Sequence, residues 1–283
     1  MLDFSRQREL GLHAEVAADV TGALGALGIH GIVVGAIARD LHMHYGAGIP
    51  VQRRTEDIDF AFMVSGWTEF DVLRVRLIES GSCRAIEGKQ HRLRHRNGIA
   101  VDLVPFGSIE TGDRRIAWPP TGDVVMDVFG FQESVAKAED VMLPGNIKIQ
   151  IVCLPALALL KIVAWEDRHR RSPGKDAADL MLISRNYLSV GANSKRLWDE
   201  FAEWTEAPDF DYEHSSARML GHDIRGLLDD SGLERVVEIL QAQLDEQGLG
   251  VLSQEMDRRS PDQARALLHR LREGLCHAEG TQT

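Results

Sequence analysis

Residues 35–64 read GAIARDLHMHYGAGIPVQRRTEDIDFAFMV, and their last eight, Asp57 to Val64, decide the fold. The run is apolar apart from two aspartates one residue apart, the pattern of a buried strand. Side chains alternate across a strand, so Asp57 and Asp59 share one face while Ile58 and Phe60 take the other. Glu56 points away from Asp57 and is not counted with the pair. Two carboxylates side by side repel strongly where water is scarce, and a cation between them removes that repulsion. Ligation by carboxylate oxygen alone favours a hard ion such as magnesium.

Upstream, Ile29 to Val34 is a short apolar run closed by Gly35, read as a second buried strand. It leads into a helix over Ala38 to Tyr45, followed by a loop containing Gly46, Gly48 and Pro50. A strand that ends in glycine and enters a helix leaves backbone N–H groups free at Gly35 and Ala36. Such a junction is either a simple turn or an anion site fit for a triphosphate. Earlier still, Glu9 to Leu27 has helical spacing and stops at Gly28.

Downstream, Phe70 to Glu79 reads as a helix ended by Gly81. Arg84 to His95 and Ile99 to Phe106 read as two strands joined at Asn97-Gly98, a strong hairpin signal. Asp102 interrupts the second of them. A charged residue inside a core strand needs a partner. That partner is either an arginine or lysine, or a cation shared with Asp57 and Asp59; the nearby aspartates favour the cation. Gly107 to Asp123 reads as loop, and Val124 to Phe131 and Ile147 to Cys153 as further strands.

From Pro155 onward the periodicity is helical. Helices are predicted at Pro155–His169, Asp176–Tyr187, Lys195–Trp204, Ser215–Leu228, Leu233–Gln247 and Pro261–Leu275. The expected architecture is α+β: a mixed-sheet domain with flanking helices over 1–153, then a helical domain over 154–283. Lys161 is a cation within an apolar helix and must snorkel or meet an anion. Asp176 and Asp179 are three apart on one helix face, so an internal salt bridge joining the domains is one reading of this trio.

Composition sets the outer limits. The chain has 283 residues, 44% of them hydrophobic, and a net charge of −11, so it is not basic throughout as many nucleic-acid binders are. Basic residues gather in two places: Arg84, Lys89, Arg92, Arg94 and Arg96, and Arg168, Arg170, Arg171 and Lys175. They are solvated faces or parts of a polyanion site. Cys83, Cys153 and Cys276 are too far apart for a zinc or disulfide framework. The charged N-terminus and the lack of a long apolar run suggest a cytoplasmic protein with no membrane partner. His42 and His44 point to different sides of their helix and are expected at the surface. Trp165 is expected in the core or at a domain interface.

Taken together, these residues resemble the nucleotidyltransferase superfold of DNA polymerase β. That signature has a small-residue pair at a helix start, Asp-x-Asp on the next strand and a third Asp on a later one. More closely, Ala38-Arg39-Asp40-Leu41, Arg53-Arg54-Thr55-Glu56-Asp57-Ile58-Asp59-Phe60 and Lys175-Asp176-Ala177-Ala178-Asp179-Leu180 resemble the AbiEii/AbiGii-type toxin family. The likeness runs over roughly residues 29–183. Ala36 departs from it, standing where glycine or serine is usual and offering only its backbone N–H.

The resemblance implies two magnesium ions on Asp57, Asp59 and Asp102, with Lys161 and Asp176 completing the catalytic set. It implies nucleoside triphosphate binding by Gly35, Ala36, Arg39, Thr55 and Lys161. The implied reaction moves a nucleoside monophosphate to an acceptor hydroxyl, on RNA such as the tRNA 3′ end, in a toxin with a cognate antitoxin protein. The rival expectations are an antibiotic-type enzyme acting on a small molecule and a catalytically silent binding protein of the same fold.

Overall fold

The computed structural model describes residues 1–50, 57–245 and 250–277. The chain divides into two compact units, Met1–Cys153 and Leu154–Thr283.

In the first unit the elements run β1 (Leu2–Asp3), α1 (Gly11–Ala26), β2 (Gly31–Val34), α2 (Gly35–Asp40), β3 (Asp57–Val64), α3 (Trp67–Glu79), β4 (Cys83–Ile86), β5 (Lys89–His95) and β6 (Ala100–Gly107). They continue with β7 (Arg115–Ala117), β8 (Val125–Asp127), α4 (Phe131–Val135), β9 (Glu139–Leu143) and β10 (Ile147–Ile151). Eight strands form one mixed sheet in the order β1-β9-β10-β2-β3-β6-β5-β4, and β7 and β8 form a separate ribbon. The sheet's centre is β3, antiparallel to β2 and parallel to β6. Its apolar side chains Ile58, Phe60, Phe62 and Val64 are buried, which accounts for the continuous hydrophobic run. Phe62 stacks on Phe70 of α3.

Several boundaries differ from those expected. Arg84 to His95 is two strands, because Gly88 (φ 70°) turns the chain and sets Ile86 opposite Lys89. Only Val125–Asp127 of the stretch Val124 to Phe131 is strand; Gly130 (φ 95°) then opens α4. The stretch read as loop contains β7. The helix after β2 begins at Gly35 rather than Ala38 and passes directly into a π-helical turn, Leu41–Gly46.

The second unit is helical: α5 (Leu154–Arg168), α6 (Lys175–Asn186), α7 (Asn193–Glu200), α8 (Ala202–Thr205), α9 (Tyr212–Arg225), α10 (Asp230–Leu244), α11 (Val251–Met256) and α12 (Pro261–Cys276). Asp211 and Asp229 cap α9 and α10 by accepting from the backbone N–H groups of His214 and Gly232. The helix expected over Lys195–Trp204 is broken at Phe201, whose φ of −130° leaves the helical region. Helices α9 and α12 meet backbone to backbone at two glycines. A Cβ on Gly221 would stand 2.0 Å from Leu271 O, and one on Gly274 would stand 1.9 Å from Arg218 O. No helix among the described residues is long and apolar enough to cross a membrane.

Candidate active site

The sheet register lines up one row of residues across four strands. Val34 of β2 faces Asp59 of β3, Asp59 faces Asp102 of β6, and Asp102 faces Arg92 of β5. Directly opposed residues share a face of the sheet and interact. Asp57 lies on the same face as Asp59, two residues along β3. Asp102 is buried, and Asp57 and Asp59 are half-buried. The three aspartates expected to act together are therefore on one face of one sheet.

Gly35 has φ of 71°, a backbone conformation that L side chains rarely adopt. A Cβ placed on it would lie 2.0 Å from Asp59 Oδ2. Glycine is thus needed twice over, for the turn into α2 and for the space that the Asp59 carboxylate occupies. Ala36 follows in the buried first turn of α2, and no side chain caps that helix start.

Arg92 is the functional candidate that the sequence reading left within a basic run. Its Nε donates to Asp102 Oδ1 at 2.6 Å, and its Nη2 donates to Asp102 Oδ2 and, at 3.1 Å, to Asp57 Oδ2. Its pKa is raised further above the arginine range, chiefly by the hydrogen bond to Asp102 and, against the cost of burial, by the charges of Asp102, Asp57 and Asp59. A signal for this was present: counted outward from Asn97, Arg92 and Asp102 are equidistant, which is the register of a symmetric hairpin.

The donor chemistry of the three aspartates, all carboxylate oxygen, suits a hard divalent cation. Among the described residues, however, no three His, Cys, Asp or Glu side chains are disposed as they stand to hold a metal ion. Two of the aspartates are instead drawn onto the Arg92 guanidinium. The fit is one of residue type and register, with Arg92 taking the place of a counter-ion.

The remaining candidates have other surroundings. Arg39 is buried, and its Nε and Nη2 donate to Asp40 Oδ1 at 2.9 and 2.6 Å. Thr55 lies outside the described residues. Lys161, Asp176 and Asp179 all belong to the helical unit, so their salt bridge is internal to it and does not join the two units. Lys161 Nζ lies 3.1 Å from Asp176 Oδ1 and 2.6 Å from Asp179 Oδ2. Arg168 adds a two-point hydrogen bond to Asp176 at 2.8 and 2.9 Å. Burial pushes the Lys161 pKa down, but the charges of Asp179 and Asp176 outweigh it and hold the ammonium protonated. Trp165 is buried in the core of this unit, where its Nε1 donates to Glu255 Oε2 at 2.9 Å.

His42, expected at the surface, is 3% exposed. Its Nε2 is 2.8 Å from Val152 O, so the imidazole donates to a carbonyl at the end of the sheet. The π-helical turn shifts residues after Asp40 around the helix axis relative to ordinary α spacing. His95 is buried as well, with its Nε2 2.9 Å from Asp19 Oδ2.

Solved structures that this chain resembles include two of the antibiotic-resistance factor ANT(2'')-Ia. One, a solution structure, matches with 14% identity and a TM-score of 0.39, over 68% of this chain and 92% of that one. The other, a crystal structure in complex with adenylyl-2''-tobramycin, matches with 13% identity and a TM-score of 0.40, over 69% and 99%. No curated protein sequence matches significantly. The family model described as nucleotidyl transferase AbiEii toxin, Type IV TA system, matches residues 24–269. That span takes in the aspartate row, Gly35 and the Lys161 network, and the chain belongs to the AbiEii family of nucleotidyltransferase toxins.

Proposed function

We propose that this chain is a magnesium-dependent nucleotidyltransferase that transfers a nucleoside monophosphate to an RNA hydroxyl, with the tRNA 3′ end as the favoured acceptor. The reading is carried by Asp59 and Asp102, two carboxylates that stand opposite each other, with Gly35 kept clear for the first of them. Asp57, Asp59 and Asp102 would hold magnesium, two ions in this reading, which would supply charge neutralisation for the triphosphate and the pyrophosphate.

The protein's own groups do the rest. Gly35 and Ala36 present backbone N–H groups, uncapped by any side chain, to a phosphate. In this reading Asp102 takes the proton of the acceptor hydroxyl as its oxygen attacks the α-phosphorus and the bond to pyrophosphate breaks. Arg39 and Thr55 keep the roles in nucleotide binding that the family resemblance implies, while Lys161 and Asp176, buried against each other and Asp179 within the helical unit, are read as structural.

The acceptor reading draws on the edge of the sheet. Arg84 of β4 faces Arg94 of β5, and Arg94 shares its face with Arg92 and the aspartates. Two like charges directly opposed are unfavourable unless an anion lies near. A polyanionic acceptor lying across β4 and β5 would relieve them. A cognate antitoxin protein in the same cytoplasm completes the proposal, in line with the family's description.

The test incubates purified protein with each labelled nucleoside triphosphate, magnesium and total bacterial RNA, beside Asp59→Asn. Label should enter RNA with the unaltered protein, and the variant should lose at least about 10³-fold in rate while keeping its circular dichroism. Equal labelling by the variant would overturn the site; label in small molecules alone would overturn the acceptor. A second reading, a fold kept for binding alone, is favoured by the Arg92 contacts to Asp57 and Asp102. It predicts that no divalent cation binds at these aspartates.

A further inference from the structure

We propose that Arg92 is a displaceable counter-ion, holding Asp57 and Asp102 together while the site is without a cation and releasing them when one binds. This rests on the reading of Asp57, Asp59 and Asp102 as cation ligands, and it adds a residue which that reading does not use.

The geometry supports it in three ways. First, Arg92 contacts the same oxygens that a cation would need: both oxygens of Asp102 and Oδ2 of Asp57. A planar guanidinium spanning two carboxylates is a close charge match for them. Second, a divalent ion and a guanidinium on the same oxygens would repel each other, so the two occupancies compete. Third, Arg92 is free to leave. Its side chain is 35% exposed, whereas that of Asp102 is 12% exposed. Its strand, β5, is next to the outermost strand of the sheet.

The consequence is a site that tolerates being empty. Three carboxylates gathered without a counter-charge would repel one another and strain the centre of the sheet. Arg92 removes that cost in the cation-free protein, at the expense of a weaker affinity for the cation. Arg92→Gln should therefore weaken the cation-free protein and strengthen its grip on metal.

The experiment measures Mn2+ binding by calorimetry on the full chain, with no nucleotide present, for the unaltered protein, Arg92→Gln, Arg92→Lys and Asp59→Asn. Thermal melting of each is recorded in chelator and in Mn2+. Arg92→Gln should bind Mn2+ about tenfold more tightly or better, since a competing positive charge is gone. It should melt lower than the unaltered protein in chelator and gain more on adding Mn2+. Arg92→Lys, which keeps the charge but loses the fork, should fall between them and decides the matter if Arg92→Gln does not fold in chelator. Unchanged or weaker Mn2+ binding by Arg92→Gln and Arg92→Lys, with binding still lost in Asp59→Asn, overturns the proposal and leaves the aspartate site standing. Absence of binding to every form overturns both.

Discussion

Replacing Gly35 by alanine tests whether the Asp59 carboxylate is where the chemistry needs it. The added Cβ would lie 2.0 Å from Asp59 Oδ2 and 2.8 Å from Asp59 Cγ. Restoring ordinary contact requires the carboxylate to move by more than about 1 Å. A displacement of about 1 Å at a reacting centre is enough to cost roughly 10²-fold in rate. The backbone adds its own penalty, because φ is 71° and an L residue there costs about 1–2 kcal/mol. Gly28 provides the control: its φ is 68°, yet a Cβ on it would meet nothing within 4 Å. Gly28→Ala should therefore lose only the backbone penalty in urea unfolding and keep full nucleotidyl transfer. Gly35→Ala should lose more stability than Gly28→Ala, and transfer of labelled nucleotide to RNA should fall by about 10²-fold. If the two variants were equally destabilised and both retained full transfer, the placement of Asp59 against Gly35 would have no part in the reaction.

Three other measurements follow from buried polar groups. Lys161→Met removes the shared cation of Asp176 and Asp179, leaving buried carboxylate charge behind, and should cost about 3–5 kcal/mol by urea unfolding; a loss below about 1 kcal/mol would show that Arg168 alone suffices. Burial holds the His42 pKa below its ordinary 6.5 despite the opposing charge of Glu139. The unfolded state then binds the proton more readily, so this contribution is intact above about pH 6.5 and is lost as pH falls below it. His42→Gln, which keeps a donor for Val152 O, should show a shallower decline in urea midpoint between about pH 6.5 and 5. An equally steep decline would assign the acid sensitivity elsewhere, the half-buried His13 being another imidazole whose pKa burial lowers. Burial raises the Asp223 pKa, but hydrogen bonds with His222, Arg196 and Tyr187 outweigh it and hold the carboxyl far below the ordinary range. Asp223→Asn should cost about 1.5–3 kcal/mol near neutral pH, with the gap from the unaltered protein closing as pH drops below about 4; a pH-independent gap would refute the ionic account.

The parts of the fold that could be read in advance were those where one local signal dominates. Asp57 to Val64 is a strand because an eight-residue apolar run at the centre of a sheet has few alternatives. The Asn97-Gly98 hairpin is set by turn chemistry. The misreadings fall where tertiary contacts overrule local pattern. Gly88 splits an apparently continuous strand, and β9, for which no element is expected, begins with Glu139 and Asp140, poor strand formers held in place by pairing with β10. His42 was placed at the surface by ideal helical spacing, which the π turn beginning at Leu41 disturbs. Arg92 went unassigned because five basic residues near one another look alike until the hairpin register selects the one opposite Asp102.

Two charge clusters among the described residues differ in how their aspartates are arranged. In the helical unit, Lys161 and Arg168 stand against Asp176 and Asp179, two cations to two anions. Buried networks that balance in this way fix a structure and are costly to break. In the sheet unit, Asp57, Asp59 and Asp102 gather on the face that carries Arg92, which pairs with Asp57 and Asp102. The parallel pairing of β3 with β6 sets Asp59 directly against Asp102, an arrangement that pairing alone disfavours. An apolar residue at either position would spare the sheet that opposition. The proposed cation binding would account for both the opposition of the aspartates and the glycine kept clear beside one of them.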